Sequence, residues 1–253
     1  MGFYNYSTGE IINFGDRINR DFDGYFDRIS SFSWFAPNMQ NWEWDVQRKI
    51  SVNEDRYFDF SKNMIDVGAY IGIYRWNLRF QKAWLFEPNK ESFMYCCANA
   101  ILRKHVHDTF IYNECLSNKR EVVSFNGYEC VSNDLKGSGD TNHVYFEKNV
   151  ELVTKRLDDF LSEFDNIGFI KVDCEGMDWK VIDGAEKTIR LFNNPPILFE
   201  NWMDDGTYPS GLNESDEARI SRNKNIRRVL EEKHGYKILW RWGDHETHLA
   251  IHE

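Results

Sequence analysis

The chain has 253 residues, of which 42% are hydrophobic and 16% aromatic, and its formal net charge is −10. The length is typical of one α/β domain with additions, and the acidic balance argues against nucleic-acid binding. No run approaches the roughly 20 apolar residues of a membrane span, the N-terminus lacks a signal-peptide pattern, and the five cysteines include no C-x-x-C pair, so we expect a cytoplasmic protein with reduced thiols.

Residues 1–60 carry no glycine turn of the cofactor-binding type. Phe22, Phe26 and Ile29 are spaced like one face of a helix, and an aromatic stretch follows at residues 34–44. We interpret residues 1–60 as a helical, aromatic extension that covers an edge of the sheet or forms a lid. Residues 61–253 would then form a Rossmann-like domain.

Short apolar runs alternate with longer helical patterns through the rest of the chain. The runs predict strands at residues 64–67, 83–86, 109–115, 168–173 and 197–200. Helices are predicted from residue 71 and at residues 90–103, 157–163, 177–192 and 214–234. This alternation predicts an α/β fold with a mostly parallel, doubly wound sheet. The final runs, at residues 236–242 and 247–252, predict an antiparallel pair at its C-terminal edge.

A separate antiparallel element is predicted in the middle of the chain. Asn126-Gly127 is a strong hairpin signal between two β-like runs within residues 121–131, and residues 150–154 resemble a further strand. Residues 132–143 are polar and glycine-rich, which favours a mobile loop over the site, and residues 203–213 are also predicted to form a loop.

The first strand runs into the turn Gly68-Ala69-Tyr70-Ile71-Gly72. In the dinucleotide fingerprint G-x-G-x-x-G the second glycine lets the backbone approach a pyrophosphate, but here that position is Tyr70. S-adenosylmethionine has no phosphate, so it tolerates a side chain there. Asp66 would supply a carboxylate for its ammonium group, and no Walker motif is present.

An acid follows the second strand, in Phe86-Glu87-Pro88. A carboxylate about 20 residues beyond a glycine turn is where Rossmann-type sheets hold ribose hydroxyls. Pro88 suits the first turn of the next helix. Together the turn and Glu87 predict binding of a cofactor that carries a nucleoside.

A second group of charged residues lies at the ends of later strands. Lys171, Asp173 and Glu175 alternate and therefore share one face, and Glu200 ends the next strand. Ligands of open parallel sheets bind in the crevice outside the carboxyl ends of the strands. Acids at the ends of neighbouring strands therefore favour a binding site over unrelated helix caps or surface charges.

With these motifs in order, the sequence resembles the FkbM family of S-adenosylmethionine-dependent methyltransferases. The matching segments are residues 65–72, 86–89, 115–117, 156–159, 170–178, 183–185 and 198–200. The resemblance implies a Rossmann-like class I methyltransferase fold and methyl transfer to an alcohol oxygen, usually of a sugar or natural product. It also implies that Ala69 lies in the cofactor turn and that Cys115 to Ser117 lie beside the adenine. Tyr70, Cys115 and Asp178 depart from the usual Asn, Ala and Glu.

An alcohol is a poor nucleophile while protonated, so the site should offer a base or a metal ion. Our catalytic candidates are Asp173, which would orient or deprotonate the acceptor hydroxyl, Lys171 and Glu200. Lys171 either holds the acids as an ion pair or, if desolvated, acts as the base. Asp173, Glu175 and Glu200 would suit a divalent cation, because hard cations prefer oxygen ligands.

Other charged residues have more ordinary interpretations. His143, His245 and His248 lie in predicted loops or edges within reach of the crevice, but histidines there are usually surface residues. A basic stretch is predicted to form a solvated helix face; its members are Arg219, Arg222, Lys224, Arg227 and Arg228.

Alternative functions stay open at this point. One alternative is an NAD-dependent oxidoreductase, which would share the fold, although Tyr70 argues against it. Another alternative is a non-catalytic Rossmann-like module that binds a partner. Methylation of RNA is disfavoured by the acidity of the chain. The abundant Trp and Tyr favour a sugar or glycan as the small-molecule acceptor, whereas the oligomeric state is left open.

Overall fold

The computed structural model describes residues 2–5, 10–13, 44–102, 105, 107–125, 130–131, 150–201, 216–243 and 246–252. The strands, in chain order, are β1 (Gly2–Asn5), β2 (Glu10–Asn13), β3 (Asn63–Val67), β4 (Ala83–Phe86), β5 (Thr109–Tyr112), β6 (Val122–Phe125), β7 (Cys130–Val131), β8 (Val150–Val153), β9 (Ile167–Val172), β10 (Ile197–Glu200), β11 (Lys237–Leu239) and β12 (Thr247–Ile251). The α-helices are α1 (Trp44–Val52), α2 (Glu54–Tyr57), α3 (Ile73–Asn77), α4 (Lys90–Leu102), α5 (Asp178–Asp183), α6 (Glu186–Leu191) and α7 (Asp216–Arg227). A 3₁₀ helix spans Leu157–Glu163 and a π-helical segment spans Arg228–Lys233.

The main sheet has seven strands in the order β11-β12-β10-β9-β3-β4-β5. Strands β10, β9, β3, β4 and β5 are parallel, and β12 runs antiparallel to both β10 and β11. The mostly parallel, Rossmann-like α/β sheet with an antiparallel C-terminal edge is therefore confirmed, with β12 one position in from that edge. Val67 aligns with Phe86 and with Val172, so β3, β4 and β9 end at the same level.

The central strands are buried along their whole length, because helices pack on both faces of the sheet. Every residue of β3, β4 and β9 is buried, which explains why these strands are near-continuous apolar runs. Trp84, Phe86 and Phe169 are among the largest fully buried side chains. Each such side chain contributes roughly 1.5–3 kcal/mol through burial.

The helix predicted at residues 177–192 is in fact two helices, α5 and α6, which are separated at Gly184. A Cβ on Gly184 would lie 2.3 Å from the carbonyl oxygen of Ser117, so the helix ends where another segment approaches its backbone. The carboxylate of Asp158 then caps α6, since it accepts hydrogen bonds from the amides of Lys187 at 3.1 Å and Thr188 at 2.9 Å. The prediction was wrong because this cap comes from a distant part of the chain.

Other boundaries differ by smaller amounts. The helix predicted at residues 214–234 becomes α7 followed by the π-helical segment, and the strand predicted at residues 109–115 ends at Tyr112. Strand β6 pairs antiparallel with β7, as the hairpin pattern predicted. It also pairs antiparallel with β8, so the further strand predicted at residues 150–154 joins the same three-stranded sheet. The Asn126-Gly127 turn and the predicted loops at residues 132–143 and 203–213 lie outside the described residues.

Part of the N-terminal segment contributes to the core. Val46, Ile50, Phe58 and Phe60 are buried in one cluster with Trp242, and β1 pairs antiparallel with β2. The helical face of Phe22, Phe26 and Ile29 and most of the aromatic stretch at residues 34–44 lie outside the described residues. The division at residue 60 stays a prediction. Among the described helices, none is both long and apolar enough to cross a membrane.

Candidate active site

The turn after β3 is pressed against the end of β9. Gly68 has φ +75°, and a Cβ there would lie 1.7 Å from the carbonyl oxygen of Asp173. The amides of Gly68 and Ala69 donate to the carbonyl of Phe86 at 2.9 and 3.1 Å. Position 68 therefore requires glycine, both for its left-handed backbone and for the close approach of Asp173.

Glu87 braces this turn. Its Oε2 accepts a hydrogen bond from the amide of Tyr70 at 2.8 Å and its Oε1 accepts one from the amide of Asn89 at 2.7 Å. Burial raises the pKa of Glu87 to about 8, against the lowering effect of these two amides. Asn113 donates to the carbonyls of both Glu87 and Pro88. The hydrogen bond from the Tyr70 amide joins Glu87 to the glycine turn.

Tyr70 adopts a left-handed backbone with φ +51°, which is unusual for a bulky residue. Two hydrogen bonds hold it there: Glu87 accepts from its amide, and the Cys96 thiol donates to its carbonyl at 2.8 Å. Its side chain is 37% exposed. Gly72 ends the turn at φ +81°, where a Cβ would lie 2.7 Å from the ring of Trp76.

Asp66 is a fully buried carboxylate on β3. Neither of its oxygens has a hydrogen-bond partner among the described residues, and the nearest cation, the Lys171 ammonium, lies 3.6 Å from Oδ1. Burial raises the pKa of Asp66, and the charge of Lys171 partly opposes that shift. Because a buried carboxylate without donors is costly, this site suits a ligand that brings a cationic donor, such as the ammonium group of an amino acid.

Lys171 connects Asp66 to the second group of acids. Its ammonium lies 3.0 Å from Oδ2 of Asp173 and 3.5 Å from the carbonyl oxygen of Gly68. It also lies 4.9 Å from the ring centroid of Tyr74. With carboxylates on two sides, Lys171 is placed as a buried ion-pair partner.

Asp173, Glu175 and Glu200, which we call the acid cluster, lie together at the ends of β9 and β10. Each offers one carboxylate oxygen within 4.8 Å of the others. Burial, and next the charge of Asp173, raises the pKa of Glu200 well above its ordinary value. A set of three carboxylates has the donor chemistry of a site for a hard divalent cation.

Asp178 is a further residue of the candidate site, to which the sequence motifs assigned no role. It is buried at the start of α5, where Oδ2 accepts from the amide of Gly176 at 3.2 Å and Oδ1 accepts from the amide of Glu200 at 3.3 Å. Burial, and then the charge of Asp173, raises its pKa to about 7. Its sequence signals were its place in the segment at residues 170–178 and its departure from the usual Glu there.

Cys115 and Ser117 are both buried beside the second sheet. The Ser117 hydroxyl donates to Glu121 at 3.3 Å, and the Ser117 amide donates to the Lys155 carbonyl at 2.8 Å. Their predicted place beside an adenine stays a prediction. Cys96, Cys97, Cys115 and Cys174 are free thiols, in line with the expected reduced state of those four.

His248 is a structural residue, which corrects its interpretation as an edge histidine near the crevice. It is fully buried, its Nδ1 accepts from the amide of Arg241 at 2.7 Å, and its Nε2 donates to the Asn201 carbonyl at 2.7 Å. Both ring nitrogens form hydrogen bonds to other segments of the chain, which the pattern of one strand does not reveal. His143 and His245 lie outside the described residues.

The basic stretch is only partly a solvated face. Lys224, Arg227 and Arg228 are exposed, but Arg222 is buried, and its Nη1 would lie 3.2 Å from a Cβ on Gly176. The side chain of Arg219 lies outside the described part of the chain.

A cavity of about 440 Å³ opens at the amino ends of the central strands, on the side of the sheet away from the glycine turn. Lys62, Gly168 and Pro195 line it. None of the predicted site residues reaches it. The candidate site is therefore the crevice between the glycine turn and the acid cluster, where parallel sheets bind ligands.

A family model described as "Methyltransferase FkbM domain" matches residues 66–238. No curated protein matches the chain.

Two solved structures are similar to the chain at low identity. A methyltransferase FkbM from Methylobacillus flagellatus KT shares 16% identity with a TM-score of 0.49, over 76% of this chain and 44% of that one. The chain thus spans less than half the length of that protein. A SAM-dependent methyltransferase from Aquifex aeolicus shares 10% identity with a TM-score of 0.40, over 80% of this chain and 87% of that one.

Proposed function

Since this chain belongs to the FkbM family of S-adenosylmethionine-dependent methyltransferases, we propose that it methylates a hydroxyl group of a sugar or glycan. The observation that carries the proposal is the contact between the glycine turn and Asp173, whose carbonyl oxygen leaves no room for a Cβ at Gly68. A cofactor held by the turn and an acceptor held by Asp173 would meet at this contact. Such alignment of donor and acceptor supplies much of the rate in group transfer.

The cofactor-binding residues of the proposal surround the turn. Asp66 would accept from the ammonium group, which supplies the donor that its buried oxygens lack. Glu87 would accept from the ribose hydroxyls with the lone pairs that the two amides leave free. The other members of the proposed pocket are Gly68, Ala69, Tyr70, Gly72, Pro88, Cys115, Ser117 and Asp173.

When bound, S-adenosylmethionine supplies an electrophilic methyl group on a sulfonium. The residues of the chain then have to prepare the acceptor. Asp173 would orient the acceptor hydroxyl and take its proton as the oxygen bonds to the methyl carbon, while the carbon–sulfur bond breaks and its electron pair stays on sulfur in a neutral thioether. Lys171, at 3.0 Å, fixes the orientation of the Asp173 carboxylate, and Glu200 helps to hold the acceptor.

The sugar class of the acceptor comes from the family resemblance. Tyr70 supports it, because its exposed ring offers an apolar face beside the glycine turn. The abundance of aromatic residues supports it less than the sequence suggested, since Trp84, Tyr112 and Tyr236 are buried in the core.

A divalent cation is a further element of the proposal. Asp173, Glu175 and Glu200 would hold it, and it would relieve the repulsion among three crowded carboxylates. Calorimetric titration of chelator-treated protein with Mg²⁺ or Mn²⁺ tests this element, with Glu175→Gln as the variant expected to weaken binding. Equal heats for both proteins would remove the cation from the proposal.

The experiment that tests the function is transfer of tritium from labelled S-adenosylmethionine to a panel of sugars and glycans. We expect label on a hydroxyl oxygen of one acceptor class, and loss of transfer in Asp173→Asn. Label found only on nitrogen or carbon would contradict O-methylation. Label on a non-sugar alcohol would keep the reaction and correct the acceptor.

Calorimetric titration with S-adenosylmethionine and with NADH separates this proposal from an oxidoreductase. We expect only the first to bind, because Tyr70 stands where a dinucleotide needs glycine. Binding of the cofactor without transfer to any acceptor would favour a non-catalytic module.

A further inference from the structure

The turn that carries Glu175 is held in an unfavourable backbone conformation. Glu175 has φ +52° and Gly176 has φ +91°, so two successive residues adopt left-handed geometry. Such geometry is unfavourable for a residue with a side chain and persists only where surrounding contacts impose it. The turn directs the Glu175 carboxylate towards Asp173 and Glu200, within 4.8 Å.

Asp178 supplies the contacts that join this turn to the neighbouring strand. One carboxylate oxygen accepts from the Gly176 amide at 3.2 Å, and the other accepts from the Glu200 amide at 3.3 Å. One buried side chain therefore ties the segment that carries Glu175 to the segment that carries Glu200. These two backbone segments come from different strands, and their separation fixes the spacing of the two acids.

We propose that Asp178 is a positioning residue that sets the spacing of the Glu175 and Glu200 carboxylates and thereby aligns the acceptor for methyl transfer. This inference rests on the proposed function of the crevice. Asp178 itself faces two amides rather than the acceptor, so it acts through the acids it positions. Among the described residues, no hydrogen bond joins Asp178 to the glycine turn or to Glu87, so we expect the affinity for the cofactor to be independent of Asp178.

The test compares Asp178→Asn with Asp158→Asn. Asp158 is a matched buried carboxylate that also accepts two amide hydrogen bonds, from Lys187 and Thr188, but these serve only the start of α6. An asparagine keeps one acceptor oxygen and loses the other. For Asp178→Asn we expect kcat/KM for the acceptor to fall by roughly 10- to 100-fold, with the Kd of S-adenosylmethionine within about twofold of wild type. Asp158→Asn should lower Tm and leave kcat/KM of the folded enzyme unchanged.

A second variant reaches the same turn without touching Asp178. Gly176→Ala places a Cβ 3.2 Å from Nη1 of Arg222 at a positive φ, so it should displace the turn and reproduce the kinetic loss. It keeps the test decisive if Asp178→Asn does not fold. Retention of kcat/KM within twofold in both Asp178→Asn and Gly176→Ala, or in the folded one of the two, overturns the proposal.

Crystal structures of wild type and of the folded variant provide a readout that needs no activity. The proposal expects the carboxylates of Glu175 and Glu200 to separate further in the variant than in wild type. An unchanged separation overturns it. Failure of the proposed function would show differently, as an absence of methyl transfer by the wild-type protein.

Discussion

The crevice has two halves that are stabilised by different kinds of contact. Around the glycine turn, backbone amides donate to the Phe86 carbonyl and to the buried carboxylate of Glu87 at 2.7–3.1 Å, and Glu87 connects Tyr70 to Asn89. Around the acid cluster, three carboxylates lie within 4.8 Å of one another, and Lys171 is the cation that reaches Asp173.

Under the proposed function, this difference would assign cofactor binding to the glycine turn and methyl transfer to the acid cluster. A preformed, hydrogen-bonded turn loses little entropy when a ligand arrives, which suits a cofactor that every reaction cycle shares. In the acid cluster, burial raises the pKa of Glu200, and such crowded acids respond to a proton, a cation or an acceptor hydroxyl. We therefore expect variants of the first half to change cofactor affinity and variants of the second to change turnover.

The largest expected effect is that of Gly68→Ala. The new Cβ would lie 1.7 Å from the Asp173 carbonyl oxygen, so both halves of the crevice must move apart. We expect loss of detectable S-adenosylmethionine binding by calorimetry and a lower Tm. Gly235→Ala is the matched control, because Gly235 has φ +71° but its nearest neighbour would lie 3.6 Å away. Normal binding by Gly68→Ala would show that the contact does not shape the pocket.

Asp173→Asn tests the carboxylate of the second half, because the substitution leaves the Asp173 carbonyl in place against the glycine turn. Removal of the proposed proton acceptor should lower kcat by about 100-fold, within the range for general bases, while the cofactor Kd stays within a few-fold. Initial rates with the identified acceptor measure kcat, and calorimetry measures the Kd of the cofactor.

Asp165→Asn is its control, since Asp165 is exposed, pairs with Lys82 at 2.7 Å and lies before β9, at the other end of that strand. A loss in cofactor affinity as large as the loss in kcat would contradict the proposed division between the two halves.

The pH dependence of cofactor affinity tests Glu87. With its pKa raised to about 8, the free protein holds a proton on Glu87 at neutral pH. Ribose hydroxyls donate to the ionised carboxylate, so binding must release that proton. Affinity should therefore rise by up to about tenfold per pH unit as pH increases towards 8 and level off above it.

Calorimetric titrations between pH 6 and 9 measure this profile. Glu87→Gln should bind more weakly and without the slope, because glutamine does not titrate. A flat wild-type profile would show that binding releases no proton from Glu87, whereas a slope that survives in Glu87→Gln would assign the released proton to another group.

Tyr70→Asn should have the smallest effect and should act in opposite directions on stability and function. Asparagine tolerates the left-handed backbone better than tyrosine, so we expect a stabilisation of up to about 1 kcal/mol, or roughly 2–4 °C in Tm. The KM for a sugar acceptor should rise, because the exposed ring is lost.

Arg241→Asn is the control, since Arg241 is also left-handed, at φ +55°, and exposed. It should gain stability without a change in KM. An unchanged KM in Tyr70→Asn would remove the ring from the acceptor site.

The parts of the site that follow the chain locally were predictable. Apolar runs placed the strand ends, and so placed Asp66, Glu87 and Glu200, because a parallel sheet aligns strands that end in the same sense. The unusual residue at position 70 was also visible in the sequence.

What the sequence did not reveal depends on contacts between distant residues. The helix breaks at Gly184 because Ser117 approaches its backbone, and the carboxylate of Asp158 caps α6. Asp178 accepts a hydrogen bond from the amide of Glu200, which lies on a different strand. The local pattern of residues 178–191 is compatible with one continuous helix, and only packing against other segments divides it. His248 was misjudged for the same reason.

The hydrogen bond from His248 to the Asn201 carbonyl spans 47 residues of chain. Ribosomes deliver a polypeptide from its amino end, so the backbone just after Glu200 waits for β12 to emerge before its carbonyl finds this partner. A nascent chain halted before that strand would already contain every residue of the glycine turn, yet β10 would still be an open edge. The strand that carries Glu200 should therefore reach its final pairing only after β12 has been synthesised.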